Sequence, residues 1–138
     1  MLCFKSKMIY WMRLTLAGKK EKGAIGFSFA WNGLVIMLRN ERNFRIQVIA
    51  ALIVVMAGYI FKLTKAEWLF IVSVSGMVLV AEMINTTIEK TIDYVKPEHH
   101  PTAKLIKDVA AGAVLLAAIT AAIIGVIIFL PKIYMHLK

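Results

Sequence analysis

Long runs of apolar residues along the chain predict three membrane-spanning helices. The apolar stretches cover about residues 46–61, 66–84 and 109–130. The last contains no charged residue, and at about 1.5 Å per residue it rises about 33 Å, enough to cross a hydrocarbon core of about 30 Å. Pro131 follows it, and we expect this proline to end the helix. The first stretch is short for a span and depends on snorkelling of its flanking basic side chains.

A fourth apolar segment, residues 24–40, has a different pattern. Its polar side chains fall within about 60° of one another on a helical wheel at about 100° per residue, while the rest of its surface is apolar. The segment is too short to cross a bilayer. We therefore predict an amphipathic helix that lies in the membrane interface. The polar positions that define its narrow face, extended by one turn, are Ser28, Asn32, Arg39 and Asn43.

Composition supports a membrane protein. The chain has 138 residues, of which 60% are hydrophobic and 18% are charged, whereas soluble domains average about 45–50% and about 25%. These values exclude a disordered chain, and the single cysteine, Cys3, excludes an intramolecular disulfide scaffold. The formal net charge of +9 fits either nucleic-acid binding or basic residues gathered at one membrane face. Hydropathy favours the second, so we expect no nucleic-acid partner.

The distribution of basic residues predicts the orientation in the membrane. Residues 1–45 and 85–108 together carry 13 of the 17 Lys and Arg residues, and the opposite side carries 4. Because cytoplasmic loops are enriched in these residues, the amino terminus and the 85–108 connection are predicted to be cytoplasmic. The predicted organisation is a basic extension (1–23), one membrane domain (24–131) and a short tail (132–138).

Polar residues recur on one face where the second span leaves the membrane. Their spacing of i, i+3, i+7 and i+11 places four of them within about 80° of a helix surface. Glu82 is the exceptional member, because an ionised carboxylate at the membrane boundary costs at least about 2–3 kcal/mol. Such a residue is by default a candidate for function. The four residues are Glu82, Asn85, Glu89 and Asp93.

Two further charge clusters flank the predicted spans. Lys107 and Asp108 precede the last span, and Glu41 lies among arginines after the interfacial segment. Carboxylates suit Mg²⁺, which completes its shell with substrate phosphates, and cations suit phosphate oxygens. A carboxylate that is not needed for the metal ion and lies at the level of the membrane lipid suits a general base. Together they fit phosphoryl transfer, although no P-loop and no Gly-x-Gly-x-x-Gly motif occurs, and a cation transporter would also use buried carboxylates.

A histidine pair in the connection offers little chemistry. His99 and His100 lie between Pro97 and Pro101, and adjacent side chains rarely point at one metal ion. We expect two exposed loop histidines.

Three sections of the chain resemble the small prokaryotic diacylglycerol kinase and undecaprenol kinase family. They are Glu82-Met-Ile-Asn85-Thr-Thr-Ile-Glu89 with Asp93, Lys107-Asp108 with the small residues that follow, and Glu41-Arg-Asn-Phe-Arg45. The resemblance covers about residues 23–130. It implies an all-α homotrimer of the bacterial cytoplasmic (inner) membrane, with three spans and a surface helix in each chain and active sites shared between subunits.

The resemblance also implies roles for individual residues. Glu82 takes the position of the catalytic base, and Glu41 and Glu89 take those of the carboxylates that hold the divalent ions of the nucleotide. Asn85, Lys107 and Asp108 match polar residues of the same site, with Lys107 near the ATP phosphates. Asp93 matches a further acidic position.

The resulting hypothesis is an Mg²⁺- and ATP-dependent kinase of a membrane lipid alcohol. Undecaprenol is the first choice of acceptor, since the Glu41–Arg45 section is more similar to that branch, and diacylglycerol is the second. A cation- or proton-coupled transporter is the alternative, but Ser73, Ser75 and Thr120 make a poor polar path across the spans. A structural membrane anchor leaves Glu82 unexplained.

Overall fold

The part of the chain described in a computed structural model, residues 26–136 and 138, contains four helices. They are α1 (Phe27–Asn40), α2 (Arg42–Ile60), α3 (Lys65–Val95) and α4 (Pro101–His136). No strand occurs among these residues, which agrees with the predicted all-α class. Within the described residues, the chain divides between Val35 and Ile36, and Ile36–Lys138 forms one compact unit. The predicted extension 1–23 and the first residues of the predicted interfacial segment lie outside the described residues.

Three of the helices are long and apolar enough to cross a membrane, as predicted. Helix α2 has 19 residues and rises about 28 Å, because it begins at Arg42 rather than at the first apolar residue. Helices α3 and α4, with 31 and 36 residues, extend well past the predicted spans. Along all three, large apolar side chains such as Leu52, Leu69 and Leu115 are exposed. Surfaces this apolar are those of proteins in contact with lipid or with other chains.

The expectation that Pro131 ends the last helix is wrong. Helix α4 continues through Pro131 to His136, although a proline removes one helical hydrogen bond. Contacts made by the last turns explain the continuation. The Lys132 ammonium lies 3.1 Å from the Glu67 carboxylate on α3, and the His136 ring packs edge-on against Phe61. Tertiary contacts therefore outweigh the local cost of the proline.

The connection between α2 and α3 is a tight, fully hydrogen-bonded turn. Lys62 has a positive φ of 50°, and the backbone N–H of Leu63 donates to the Gly58 carbonyl at 3.0 Å, which is a Schellman-type helix end. Helix α3 then begins with a capping box in which Thr64 and Glu67 satisfy each other's backbone N–H groups. These local bonds fix the angle at which the chain re-enters the membrane.

The apolar core of the Ile36–Lys138 unit lies at this turn. Leu63, Ile71 and Ile128 are buried together, and Ile71 is only 1% exposed. Partly buried side chains from α2, α3 and α4 pack around them: Val54, Phe61, Trp68, Ile124 and Phe129. The core thus holds the three helices together at one end. The polar residues of α3 lie toward the other end of that helix.

Helix α4 begins at Pro101, inside the predicted loop. Proline is favoured at the first position of a helix because its missing N–H has no helical partner there. The His100 imidazole Nδ1 accepts a hydrogen bond from the Thr102 backbone N–H at 3.2 Å. His99 and His100 are both exposed, as expected, but His100 also caps the helix.

Candidate active site

One continuous helix positions the four polar residues that the spacing placed on a single face. All of them lie within α3, and the rise from Glu82 to Asp93 is about 16 Å. Burial decreases along this path: Glu82 is 4% exposed and Asn85 7%, Glu89 is half-buried and Asp93 is exposed. The array therefore leads from the protein interior to its surface.

Glu82 is held by an amide from the neighbouring helix. The Gln47 side chain on α2 donates from Nε2 to Glu82 Oε2 at 2.9 Å. Among the described residues, no Lys, Arg or His forms an ion pair with Glu82. Glu82 is therefore a buried carboxylate whose described partner is neutral.

Asn85 lies between Glu82 and Glu89 along the helix and bonds to Glu89. It lies one turn from Glu82, and its Nδ2 donates to Glu89 Oε1 at 3.0 Å. Two buried carbonyl oxygens, Asn85 Oδ1 and Gln47 Oε1, have no hydrogen-bond partner within the described part of the chain. Leaving a buried acceptor unpaired costs about 1–3 kcal/mol. Such groups are available to a ligand that brings donors.

Glu41 reaches the same helix from the break between α1 and α2. It occupies the N-cap position of α2 without capping it through its side chain, and its carboxylate instead forms a 3.0 Å ion pair with the Lys90 ammonium. Lys90 follows Glu89 directly, so this ion pair places Glu41 at the level of Glu89 along α3. Arg45 donates to the Arg39 carbonyl at 2.9 Å, which secures the end of α1.

The predicted residues of α4 lie farther out. Lys107 forms an ion pair with Asp93, which joins α4 to the outer end of the array. Asp108 pairs with Lys104 of its own helix at 3.1 Å, and both side chains are largely exposed. Within one chain, then, Glu82, Asn85 and Glu89 lie along one face of α3, and Glu41 is tied to the same helix through Lys90. Lys107 reaches the array only at Asp93, and Asp108 pairs within its own helix.

The carboxylates fit a magnesium ion that is bound together with its nucleotide. No group of three His, Cys, Asp or Glu side chains arranged for a metal occurs within residues 26–136 or at residue 138. Mg²⁺ needs only one or two protein carboxylates when substrate phosphates supply the other oxygens. Glu41 and Glu89 are two hard oxygen donors of that kind.

The opposite face of α3 carries no such chemistry. An open groove there is lined by Val80, Met83, Ile84, Thr87 and Ile88. The one hydroxyl among them, on Thr87, donates to the Met83 carbonyl of the same helix at 2.8 Å. This face is therefore apolar in character, and the polar chemistry of α3 is confined to the side that faces Gln47.

Two residues of the site were not singled out from the sequence. Gln47 is the only amide, hydroxyl or charged side chain between Ile46 and Gly58, and a lone polar residue in an apolar run is a signal that could have identified it. Lys90 gave no such signal, because a lysine on a solvated helix end is ordinary.

Comparison with known proteins shows similarity to one family. The sequence model of the family described as prokaryotic diacylglycerol kinase matches residues 28–129. The chain is 42% identical over 107 residues to the undecaprenol kinase of Bacillus subtilis (strain 168), covering 78% of this chain and 87% of that protein.

Two other relatives are named diacylglycerol kinase. The diacylglycerol kinase of a Synechocystis species is 36% identical over 110 residues, covering 79% of this chain and 63% of its own length. The diacylglycerol kinase of Escherichia coli (strain K12) is 30% identical over 95 residues, covering 69% of this chain and 78% of its own length.

Proposed function

The chain belongs to the prokaryotic diacylglycerol kinase family, and from this premise we propose that it phosphorylates undecaprenol. It is a membrane-embedded lipid kinase with ATP as its co-substrate, and the relatives give no support to a transporter. The higher identity to an undecaprenol kinase than to the two diacylglycerol kinases supports undecaprenol as the first acceptor and diacylglycerol as the second.

The observation that carries the proposed chemistry is the buried Glu82 carboxylate with a neutral partner. We propose that Glu82 accepts the proton of the lipid hydroxyl. The freed oxygen forms a bond to the γ-phosphorus of ATP, the bond from that phosphorus to the bridging oxygen breaks, and ADP leaves. Glu82 then releases its proton to solvent. Holding both reactants in line at one place supplies much of the acceleration in this kind of reaction.

The order of residues along α3 supports a direction of entry for each substrate. Glu82 lies toward the apolar part of the helix, and Glu89 lies about 10 Å farther toward the surface. The lipid hydroxyl is proposed to arrive from the membrane side and the ATP phosphates from the solvent side. Glu41 and Glu89 would hold Mg²⁺, which neutralises charge on the phosphates when it is bound. The unpaired Asn85 Oδ1 is available to a donor at the junction of the two.

Assembly and orientation are proposed on the same basis. The resemblance implies a homotrimer with shared sites. Within one chain, Glu82 and the Asp93–Lys107 pair are separated by a rise of about 16 Å along α3, which supports completion of each site by a neighbouring chain. The family resemblance supports a position in the bacterial inner membrane, and the distribution of basic residues supports an amino terminus in the cytoplasm.

The test is lipid phosphorylation by purified protein in mixed micelles containing undecaprenol, Mg²⁺ and ATP. We expect Glu82→Gln to lower kcat at least about 100-fold, because general bases contribute about 10²–10⁴-fold. Glu98→Gln is the matched control, since Glu98 is an exposed loop carboxylate, and it is expected to match wild type. Wild-type turnover by Glu82→Gln would remove Glu82 from the chemistry.

The acceptor is tested in the same micelles. With undecaprenol and diacylglycerol offered at equal mole fraction, we expect a higher kcat/KM for undecaprenol. A higher value for diacylglycerol would reverse the order of acceptors and leave the lipid kinase activity in place.

A further inference from the structure

Gln47 is the polar contact that α2 makes with the buried carboxylate. Its Nε2 donates to Glu82 Oε2 at 2.9 Å, and it lies in an otherwise apolar stretch of α2. A polar side chain in a membrane-spanning helix is costly unless a partner satisfies it. Its only described side-chain partner is the carboxylate on which the proposed reaction depends.

The chemistry of the amide fixes how it is oriented. An amide offers one end that donates and one that accepts, whereas an ionised carboxylate only accepts. The donating end must therefore face Glu82, and this leaves Gln47 Oε1 buried without a partner in the described part of the chain. A contact that served packing alone would be satisfied by an apolar side chain, with no orphaned oxygen left behind.

Holding one carboxylate oxygen restricts the other. The last torsion of a glutamate is broad, so a free Glu82 carboxylate would rotate among many orientations. The hydrogen bond to Oε2 restricts rotation of the carboxylate, and Oε1 is the oxygen left for the proposed proton transfer. Alignment of this kind is what a general base needs before its substrate arrives.

We propose that Gln47 is a positioning residue for phosphoryl transfer, which orients the Glu82 carboxylate toward the lipid hydroxyl. The proposal rests on the proposed function, in which Glu82 is the base. Gln47 acts through Glu82, so its removal lowers turnover only where Glu82 is present to be positioned.

The test compares variants of Gln47 in the micelle assay. Gln47→Met keeps the length of the side chain without a donor, and we expect kcat to fall about 10- to 100-fold, the loss typical of a hydrogen bond to a charged group, with an unchanged KM for MgATP. Gln47→His keeps a ring N–H donor and is expected to retain kcat within about threefold of wild type. Tyr59→Phe, which removes a hydroxyl from the other end of α2, is the control and is expected to match wild type.

A double-mutant cycle separates positioning from packing. In a Glu82→Gln background, Gln47→Met is expected to change the residual rate less than twofold, because residues that act as a unit are not additive. Equal losses in both backgrounds, loss of activity in Gln47→His as large as in Gln47→Met, or wild-type kcat in Gln47→Met would each overturn the proposal.

Folding is checked by size-exclusion chromatography and thermal melting in detergent. Should Gln47→Met fail to fold, Gln47→Asn provides the second variant, because it keeps the amide but is one methylene, about 1.5 Å, too short to reach Glu82. It is expected to fold and to show the same loss of kcat, and wild-type kcat in it would also overturn the proposal. Wild-type protein that phosphorylates no lipid alcohol is a separate outcome, which contradicts the proposed function itself.

Discussion

At the scale of single residues, the site is defined by which charges have partners. Glu41 is paired with Lys90, Asp93 with Lys107 and Asp108 with Lys104. Glu82, the most buried carboxylate, is held by an amide instead. The charges nearest the surface are thus neutralised in pairs, whereas Glu82, like Glu89, accepts a hydrogen bond from an amide and forms no ion pair within the described residues.

The Lys90–Glu41 pair leads to a prediction about magnesium. Lys90 occupies a carboxylate that is proposed to bind Mg²⁺, so Lys90→Met is expected to lower the Mg²⁺ concentration for half-maximal activity. The change should be about two- to fivefold, because an exposed ion pair contributes up to about 1 kcal/mol. It is measured by titrating Mg²⁺ at fixed ATP in the micelle assay.

Lys96→Met is the matched control for that titration. Lys96 is exposed at the end of the same helix and forms no ion pair with any residue in the described ranges. A higher Mg²⁺ requirement in Lys90→Met than in Lys96→Met contradicts the prediction and would indicate that Lys90 helps to bind the phosphates.

At the scale of the helices, local bonds at the α2–α3 turn set how the spans meet. The capping box of Thr64 and Glu67 begins α3, and the same Glu67 carboxylate reaches Lys132 on α4 at 3.1 Å. The Glu67 side chain therefore accepts a hydrogen bond from the Thr64 backbone N–H, which has no helical partner, and it also ties α3 to α4. Close packing at Gly58 completes the arrangement, since Gly58 faces the ring of Trp68.

Gly58 gives a prediction about packing. A Cβ at this position would lie 2.8 Å from Trp68 Cη2 and 3.0 Å from Cζ2, closer than van der Waals contact allows. Gly58→Ala is therefore expected to destabilise the protein by about 1–3 kcal/mol, as overpacking does. The measurement is the thermal unfolding midpoint in detergent.

The companion experiment replaces the Trp68 ring with a smaller side chain. In a Trp68→Leu background, which removes the atoms that the new methyl would meet, Gly58→Ala is expected to have little effect on the midpoint. An equal loss with and without the ring would show that the Gly58–Trp68 contact is not the cause.

At the scale of the whole molecule, one chain leaves its site open to completion. Lys107, which the family resemblance places near the phosphates, is held at Asp93, about 16 Å along α3 from Glu82. The spans also expose large apolar side chains along their lengths. Completion of the site by a neighbouring chain, as proposed above, is tested by mixing subunits.

Mixing inactive subunits tests shared sites. Glu82→Gln and Lys107→Met proteins are unfolded, mixed in equal amounts and reassembled. If each site takes α3 from one chain and α4 from the next, we expect about one quarter of wild-type activity, since a random cyclic trimer pairs intact residues at that frequency.

The control mixture combines Glu82→Gln with Asn85→Ala. These residues lie one turn apart on the same helix, so no mixed assembly restores a complete site and activity is expected to stay low. Recovery in the control mixture, or none in the test mixture, contradicts sites that are completed by α4 of a neighbour.

The sequence by itself determined the helical class, the three spans and the polar face of α3. Each follows from local periodicity: long apolar runs need a bilayer, and a spacing of three or four residues puts side chains on one helix face whatever surrounds them. The positions of Glu82, Asn85, Glu89 and Asp93 on one side of α3 were predictable for this reason.

Only the tertiary structure decided which groups meet across helices. The contact of Gln47 with Glu82 joins residues 35 apart in sequence, and those of Lys90 with Glu41 and Lys132 with Glu67 also join different parts of the chain. Spacing within a helix carries no information about the side chains of its neighbour. The same contacts explain why α4 continues through Pro131, since its local signal to stop is weaker than the packing of the turns that follow it.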